Sequence, residues 1–104
     1  NPHHPAIRNM TEDEFHAYAQ AEGYRQPQAR TQPAHKLFDT HAHRDDLIVL
    51  VTEGSLTVKY ADRTEVFGPG DMCYVSPGVD HTDQAGPNGA SYVLAWRSVD
   101  SAAA

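Results

Sequence analysis

Between residues 34 and 97, short β-rich segments alternate with turns at regular intervals. Six such segments are present: Lys36–Thr40, Leu47–Val51, Leu56–Tyr60, Thr64–Phe67, Met72–Val75 and Ser91–Trp96. Turn signals rich in glycine, proline and aspartate separate them, at positions 53–54, 61–62, 68–71, 76–78 and 86–89. Short strands with turns of this kind are typical of an antiparallel barrel or sandwich, so we predict an all-β domain.

A single short helix is predicted ahead of this region. Thr11 and Glu14 have the spacing of a capping box, and Met10 and Phe15 occupy the two positions of a hydrophobic staple. Gly23 marks a plausible end of the helix. The apolar stripe that starts at Phe15 covers about one turn, so we expect the helix to dock on the outside of the β domain.

We divide the chain at residue 33. Residues 1–33 are expected to form an N-terminal arm, the helix and a linker over 24–33, and residues 34–100 the barrel. His3 and His4 lie in the arm, where we expect solvated side chains.

Size and charge exclude several classes of function. The chain has 104 residues and a net charge of −6, with no cluster of basic residues, so we expect one domain and no nucleic-acid partner. Its longest uncharged apolar run, Leu47–Val51, is far too short to span a bilayer. The single cysteine, Cys73, excludes an internal disulfide framework, and the sequence shows no signal-peptide pattern. We therefore expect a cytoplasmic protein.

Three of the seven histidines have a spacing that suggests metal binding. His41 and His43 are two residues apart at the end of a predicted strand, so both side chains point to the same face. His81 follows a tight turn at 76–78 and starts a later strand, which an antiparallel barrel can place beside the first pair. Imidazoles grouped in this way suit a borderline transition metal.

The stretches that carry these histidines resemble the two motifs of the cupin family. The first family motif reads G-x5-H-x-H-x3,4-E-x6-G and matches His41, His43 and Gly54, with His35 in place of its first glycine. The second reads G-x5-P-x-G-x2-H-x3-N and matches Gly70, Gly78 and His81, with Ser76 in place of proline and Ala85 in place of asparagine. The resemblance implies a double-stranded β-helix, or jelly-roll, barrel with a metal in its mouth. It also implies a protein that is commonly dimeric.

The acidic ligand of the first motif is missing. Its place falls on Leu47, or on Ile48 with the longer spacing, and neither side chain binds metal. Three readings stay open: a three-histidine site, a fourth ligand from Asp45 or Asp46, or loss of metal that leaves an apolar ligand-binding barrel. A site of neutral histidines favours iron, nickel, zinc or copper over manganese.

The resemblance favours a metal-dependent small-molecule enzyme with dioxygenase-like oxidative chemistry, and isomerase or lyase chemistry is the next choice. The alternative is a non-catalytic cupin that binds or senses a ligand or metal. The partner is expected to be a small molecule, with no membrane. We also predict a homodimer that buries the outward-facing Ile48 and Leu50.

Other side chains have weaker claims to a role. We expect Cys73 to be a buried apolar residue and not a nucleophile. Core roles are expected for four aromatic residues: Tyr60, Tyr74, Tyr92 and Trp96. Asp39, Asp83 and Gln84 lie near the histidines in sequence and are candidates to orient their rings. Arg63 and Arg97 are candidates to hold an anionic substrate.

Overall fold

One helix and six strands make up residues 6–98, the part of the chain that the computed structural model describes. The elements are α1 (Glu12–Ala21), β1 (Gln28–Gln32), β2 (Leu37–His41), β3 (Asp46–Lys59), β4 (Thr64–Phe67), β5 (Met72–Val75) and β6 (His81–Arg97). All strand pairs are antiparallel. The all-β prediction with a short N-terminal helix is confirmed. His3, His4 and the predicted barrel end at residue 100 lie outside the described residues.

Helix α1 begins as its sequence predicts. The Thr11 side chain accepts a hydrogen bond from the Glu14 backbone N–H at 3.1 Å, and the Glu14 carboxylate accepts one from the Thr11 N–H at 2.8 Å. This reciprocal pair satisfies backbone donors that have no partner inside the helix. Gly23, with φ +79°, follows the helix end. Phe15 and Ala19 are fully buried, so the helix presents the predicted apolar stripe to the sheet.

The two long strands β3 and β6 form the centre of the barrel. They pair along their whole length, from Asp46 opposite Arg97 to Lys59 opposite Thr82. The first half of β3 also pairs with β5 and its second half with β4, while β6 pairs with β2 and then with β1. Each long strand therefore belongs to two groups of neighbours, as in a jelly roll.

Two predicted turns are irregularities inside these long strands. Between the pairs Leu56–Ala85 and Gly54–Ala90, β6 contains four residues where β3 contains one. Gly54 has φ +72°, and a Cβ there would come within 2.1 Å of the Gly89 carbonyl oxygen. Gly54 and Gly89 thus allow the two bent strands to approach closely, and both strands continue through them.

Strand β1 occupies the segment expected to be a linker. Gln28–Gln32 pairs with β6 from Leu94 to Ala90. Its side chains are nearly all exposed, so the strand is held at the sheet edge by backbone pairing and by polar contacts of Thr31 with Ser91 and of Gln32 with Tyr92. No alternation of apolar and polar residues marks such a strand, which explains why the sequence does not predict it.

The alternating residues at the start of β3 enter two separate apolar clusters. Leu47, Val49 and Val51 point into the barrel interior. Ile48 and Leu50 point outward and pack with residues that include Phe15 of α1. This division follows from the two-residue period of a strand.

This packing corrects the prediction that a second chain buries the outward-facing Ile48 and Leu50. Ile48 and Leu50 are only 0% and 1% exposed because the helix of the same chain covers them. The helix therefore removes the reason for which the dimer was predicted. The homodimer itself stays a prediction, which a solution mass at micromolar concentration tests. No helix within residues 6–98 has the length and apolar character needed to cross a membrane.

Candidate metal centre

The three predicted histidines converge at one end of the barrel. His41 is the last residue of β2, His81 is the first of β6, and the two are direct partners in the antiparallel pairing. His43 lies two residues beyond His41. One potential ligand atom from each ring lies within 4.8 Å of the others. The fold thus brings together two motifs that are about 40 residues apart in the sequence.

An irregularity in β2 helps to orient His41. Phe38 is opposite Asp83 and His41 is opposite His81, so β2 uses three steps where β6 uses two. In a regular strand, residues three apart would face opposite sides of the sheet. The extra residue lets both Phe38 and His41 line the same cavity.

His43 is held by the turn that precedes β6. Its carbonyl oxygen accepts a hydrogen bond of 2.8 Å from the Gly78 N–H, and its ring lies edge-on to Trp96 with centroids 5.0 Å apart. Burial, with smaller contributions from His81 and His41, lowers the pKa of His43 to about 4. The ring is therefore neutral at pH 7, which is the form that binds metals.

Backbone carbonyls fix the ring orientation of the other two histidines. Nδ1 of His41 lies 2.6 Å from the Asp39 carbonyl oxygen, and Nδ1 of His81 lies 2.9 Å from that of Val79. Because a carbonyl can only accept, the proton must be on Nδ1 in both rings. Nε2 of each neutral ring then offers its lone pair to the site, an arrangement common among metal-binding histidines.

Below the histidines lies a largely apolar cavity of about 180 Å³. Leu47, the residue at the place of the missing family glutamate, is 6% exposed and lines this cavity. The rest of the lining consists of Phe38, His41, His43, Val49, Leu56, Val58, Cys73, Val75, His81, Asp83, Tyr92, Leu94 and Trp96. The cavity thus has an apolar floor and a polar mouth, where the mouth means His41, His43, His81 and Asp83.

The mouth fits a divalent transition metal. Three imidazole nitrogens at short mutual distances match the preference of iron, nickel, copper and zinc for nitrogen ligands. Two of the rings contact a backbone carbonyl through Nδ1, which leaves Nε2 of each ring for such a metal. His41, His43 and His81 are therefore the residues that would hold it.

Asp45 and Asp46 are engaged elsewhere. Asp45 accepts a hydrogen bond of 3.3 Å from Arg25. Asp46 is buried and accepts hydrogen bonds from Arg97 at 2.9 and 3.1 Å and another from the hydroxyl of Tyr74. Both carboxylates thus point to ionic partners, and the structure does not bring them into the histidine group.

The remaining candidates are divided between the cavity and other parts of the fold. Tyr92 and Trp96 line the cavity, whereas Tyr74 packs against the outer cluster. Cys73 is buried, and burial raises the pKa of its thiol to about 12, so it is a poor nucleophile at pH 7. Tyr60 packs beside His81 with ring centroids 5.8 Å apart.

Neither candidate arginine is placed to hold a substrate in the cavity. The guanidinium of Arg97 is bonded to Asp46 and to the Glu22 carbonyl oxygen. That of Arg63 is paired with Glu65 and Asp62 and lies over the Tyr60 ring.

Of the three residues expected to orient the rings, Asp83 comes closest with its side chain. Asp39 contacts His41 through its backbone carbonyl, and the amide of Gln84 bonds to the His35 carbonyl. The Asp83 carboxylate lies 3.3 Å from Nε2 of His41, and burial raises the pKa of Asp83. The sequence signal for Asp83 is its position two residues after His81, because residues two apart in a strand share a face. The same spacing relates His41 to His43.

The jelly-roll barrel and the three histidines at its mouth define a small cupin. The family model of the AraC-like ligand binding domain matches residues 23–104, and the chain belongs to this family. The match begins upstream of residue 34, in agreement with the presence of β1 in the sheet. No curated protein matches the chain.

Solved structures with the same fold are numerous. A Neisseria meningitidis protein is 27% identical with a TM-score of 0.62, and the match covers 73% of this chain and 75% of that one. An RmlC-like cupin from Shewanella frigidimarina is 25% identical with a TM-score of 0.60, covering 68% and 63%. Oxalate decarboxylase from Bacillus subtilis, at 22% identity and a TM-score of 0.63, covers 71% of this chain and 21% of its own, and shares the fold alone.

Proposed function

We propose that the protein is a metal-dependent cupin in which His41, His43 and His81 hold one divalent transition metal. The observation that carries the proposal is the convergence of three ring nitrogens within 4.8 Å. Iron, nickel, zinc and copper are the preferred ions, and manganese is less suited to three neutral imidazoles. A metal held there would supply Lewis-acid or oxygen-activating chemistry to a bound small molecule.

The protein's own residues would orient and desolvate the substrate. Leu47, Val49 and Val75 belong to the apolar floor, which favours an apolar group and excludes water. The lining found among residues 6–98 includes no lysine or arginine. We therefore expect a small, mainly apolar substrate with one polar, metal-directed end. Apart from the metal itself, a small dianion would find no lysine or arginine in this lining.

Oxidative, dioxygenase-like chemistry is the reaction class that we favour, because three protein ligands leave positions free for a substrate and for dioxygen. Isomerase or lyase chemistry is the second choice within the enzyme class. Both would use the same histidines and the same cavity.

A non-catalytic ligand-binding or sensing role is the alternative function. It is favoured by the family match itself, since the matching family is described as a ligand binding domain. In this role the cavity would bind its small molecule without turnover. For either function, we also propose a cytoplasmic location and a homodimer.

The first experiment measures metal binding. Protein purified without metal-affinity chromatography is analysed for its elements, stripped of metal, and titrated with Fe²⁺ and Zn²⁺. We expect one ion per chain in the wild type and severe loss in His81→Ala. His16→Ala, which removes an exposed histidine on α1, serves as the matched control and should bind as the wild type does. Equal binding by wild type and His81→Ala would show that the proposed metal site is wrong.

The second experiment separates an enzyme from a binding protein. Dioxygen consumption is followed for the iron-loaded protein with a panel of small apolar substrates, each with a metal-binding group. Turnover that disappears in His81→Ala supports the enzyme. A ligand that raises the melting temperature without consumption of oxygen or formation of product supports the alternative.

A further inference from the structure

The side chain of Asp83 reaches the candidate metal site from the same strand as His81. The two residues are two positions apart in β6, so they share the face that looks into the cavity. The Asp83 Oδ2 atom lies 3.3 Å from Nε2 of His41 and 3.8 Å from Nε2 of His81. The carboxylate is therefore at the mouth, next to two of the three rings.

Three electron-rich atoms meet at this point, namely Oδ2 of Asp83 and Nε2 of His41 and of His81. The protons of His41 and His81 are on Nδ1, where they bond to backbone carbonyls. In the neutral form of both rings, the two Nε2 lone pairs and the Asp83 oxygen would then face one another as acceptors. A second proton on a ring would relieve this contact, and so would a metal ion that binds all three atoms.

The distances agree with ligation. Metal ligands of this kind lie about 2.0–2.2 Å from the ion, so neighbouring ligand atoms on one ion are roughly 3.0–3.5 Å apart. The separation from His41 lies within this range, and that from His81 is slightly longer. The Asp83 side chain is 22% exposed.

We propose that Asp83 is a fourth protein ligand and supplies the carboxylate that is missing at position 47. This inference rests on the proposed function, since it adds a ligand to the same metal. The carboxylate would come from β6, the strand of His81, and not from β3, the strand of Leu47. Its negative charge would make the site better suited to harder ions such as Fe²⁺ and Mn²⁺ than three neutral imidazoles are.

The test uses Co²⁺, whose visible absorption reports the number and type of its ligands. Metal-free wild type, Asp83→Asn and His81→Ala are titrated with Co²⁺ and their spectra compared. Asp80→Asn is the matched control, because Asp80 is exposed and only three residues away. Asp83→Ser is carried in parallel, in case the amide of asparagine itself binds metal or the first variant does not fold.

We expect Asp83→Asn and Asp83→Ser to lower Co²⁺ affinity roughly 100-fold or more, beyond the effect of losing an outer hydrogen-bond partner. Their Co²⁺ spectra should also change, while Asp80→Asn retains the wild-type affinity and spectrum. If both Asp83 variants keep that affinity and spectrum while His81→Ala loses binding, Asp83 is not a ligand and the three-histidine site stands. A wild-type chain that binds no Co²⁺ overturns both proposals.

Discussion

Arg97 donates two hydrogen bonds to Asp46, its direct partner across β3 and β6, at 2.9 and 3.1 Å. The same guanidinium donates to the Glu22 carbonyl oxygen just after α1 and lies over the Tyr24 ring. Tyr74 adds a hydrogen bond to the other oxygen of Asp46. This group ties the end of the helix to the central strand pair, and it engages both carboxylate oxygens of Asp46.

Removing the charge of Asp46 should therefore affect stability and not metal binding. We expect Asp46→Asn to lower the free energy of unfolding by about 1–3 kcal/mol, the contribution of hydrogen bonds to charged groups. Urea denaturation measures this, and zinc titration should still give one ion per chain. Asp45→Asn breaks a more exposed pair with Arg25 and should cost less than about 1 kcal/mol. A loss of metal affinity in Asp46→Asn comparable to that in His81→Ala would instead identify Asp46 as a ligand.

Local sequence signals predicted the helix and the strand faces well. The capping box at Thr11 and the alternation of Leu47, Ile48 and Val49 act over a few residues, so a sequence alone reveals them. What the outer face packs against could not be predicted in this way. Ile48 and Leu50 look the same in sequence whether a second chain or the helix covers them, because burial depends on contacts between distant segments.

The packing of α1 against the outer apolar cluster should contribute substantially to the free energy of unfolding. Phe15 is fully buried against the outer cluster, and its replacement by alanine leaves a cavity there. We expect Phe15→Ala to cost about 3–5 kcal/mol in urea denaturation, with metal stoichiometry unchanged. His16→Ala, on the exposed side of the same helix, is the control and should change stability little. Loss of metal from Phe15→Ala that still folds would show that the helix supports the site.

The site itself was only partly visible in the sequence. The two-residue spacing of His41 and His43 and the turn before His81 predict a group of three histidines, and the fold brings them together. The orientation of His41 depends on the irregularity in β2, and no sequence signal marked that extra residue. The sequence predicts Asp83 only as a partner of the rings, because its distance from His41 depends on the pairing of β2 with β6.

Cys73 should make stability fall in alkaline solution. Burial raises its pKa to about 12, whereas an unfolded thiol titrates near 8.5. The folded state thus binds this proton more tightly, so the contribution is full below about pH 8.5 and is lost as the pH rises toward 12. Between pH 7 and 10 the wild type should lose about 1–2 kcal/mol more than Cys73→Val, which has no thiol. Identical losses in the two proteins would mean that the thiol does not contribute.

Leu47 offers the most direct test of how the cavity relates to the metal. Its side chain lines the cavity and is buried between its partners Val75 and Trp96. Leu47→Glu places a carboxylate at the position that glutamate occupies in the first cupin motif. Because an oxygen ligand with a negative charge suits manganese, we expect Mn²⁺ affinity to rise roughly ten-fold or more. Zn²⁺ affinity should rise less, and both are measured by competition titration.

The same substitution should separate stability from metal binding. A buried carboxylate without a positive partner is costly, so metal-free Leu47→Glu should be less stable than the wild type, and Mn²⁺ should recover much of the loss. Leu47→Gln is the control, because it has nearly the same size and no charge. It should gain little Mn²⁺ affinity, and any oxygen-dependent turnover should fall more in Leu47→Glu because the new ligand fills an open position. If the glutamate and glutamine variants bind Mn²⁺ equally, a carboxylate at position 47 does not reach the metal.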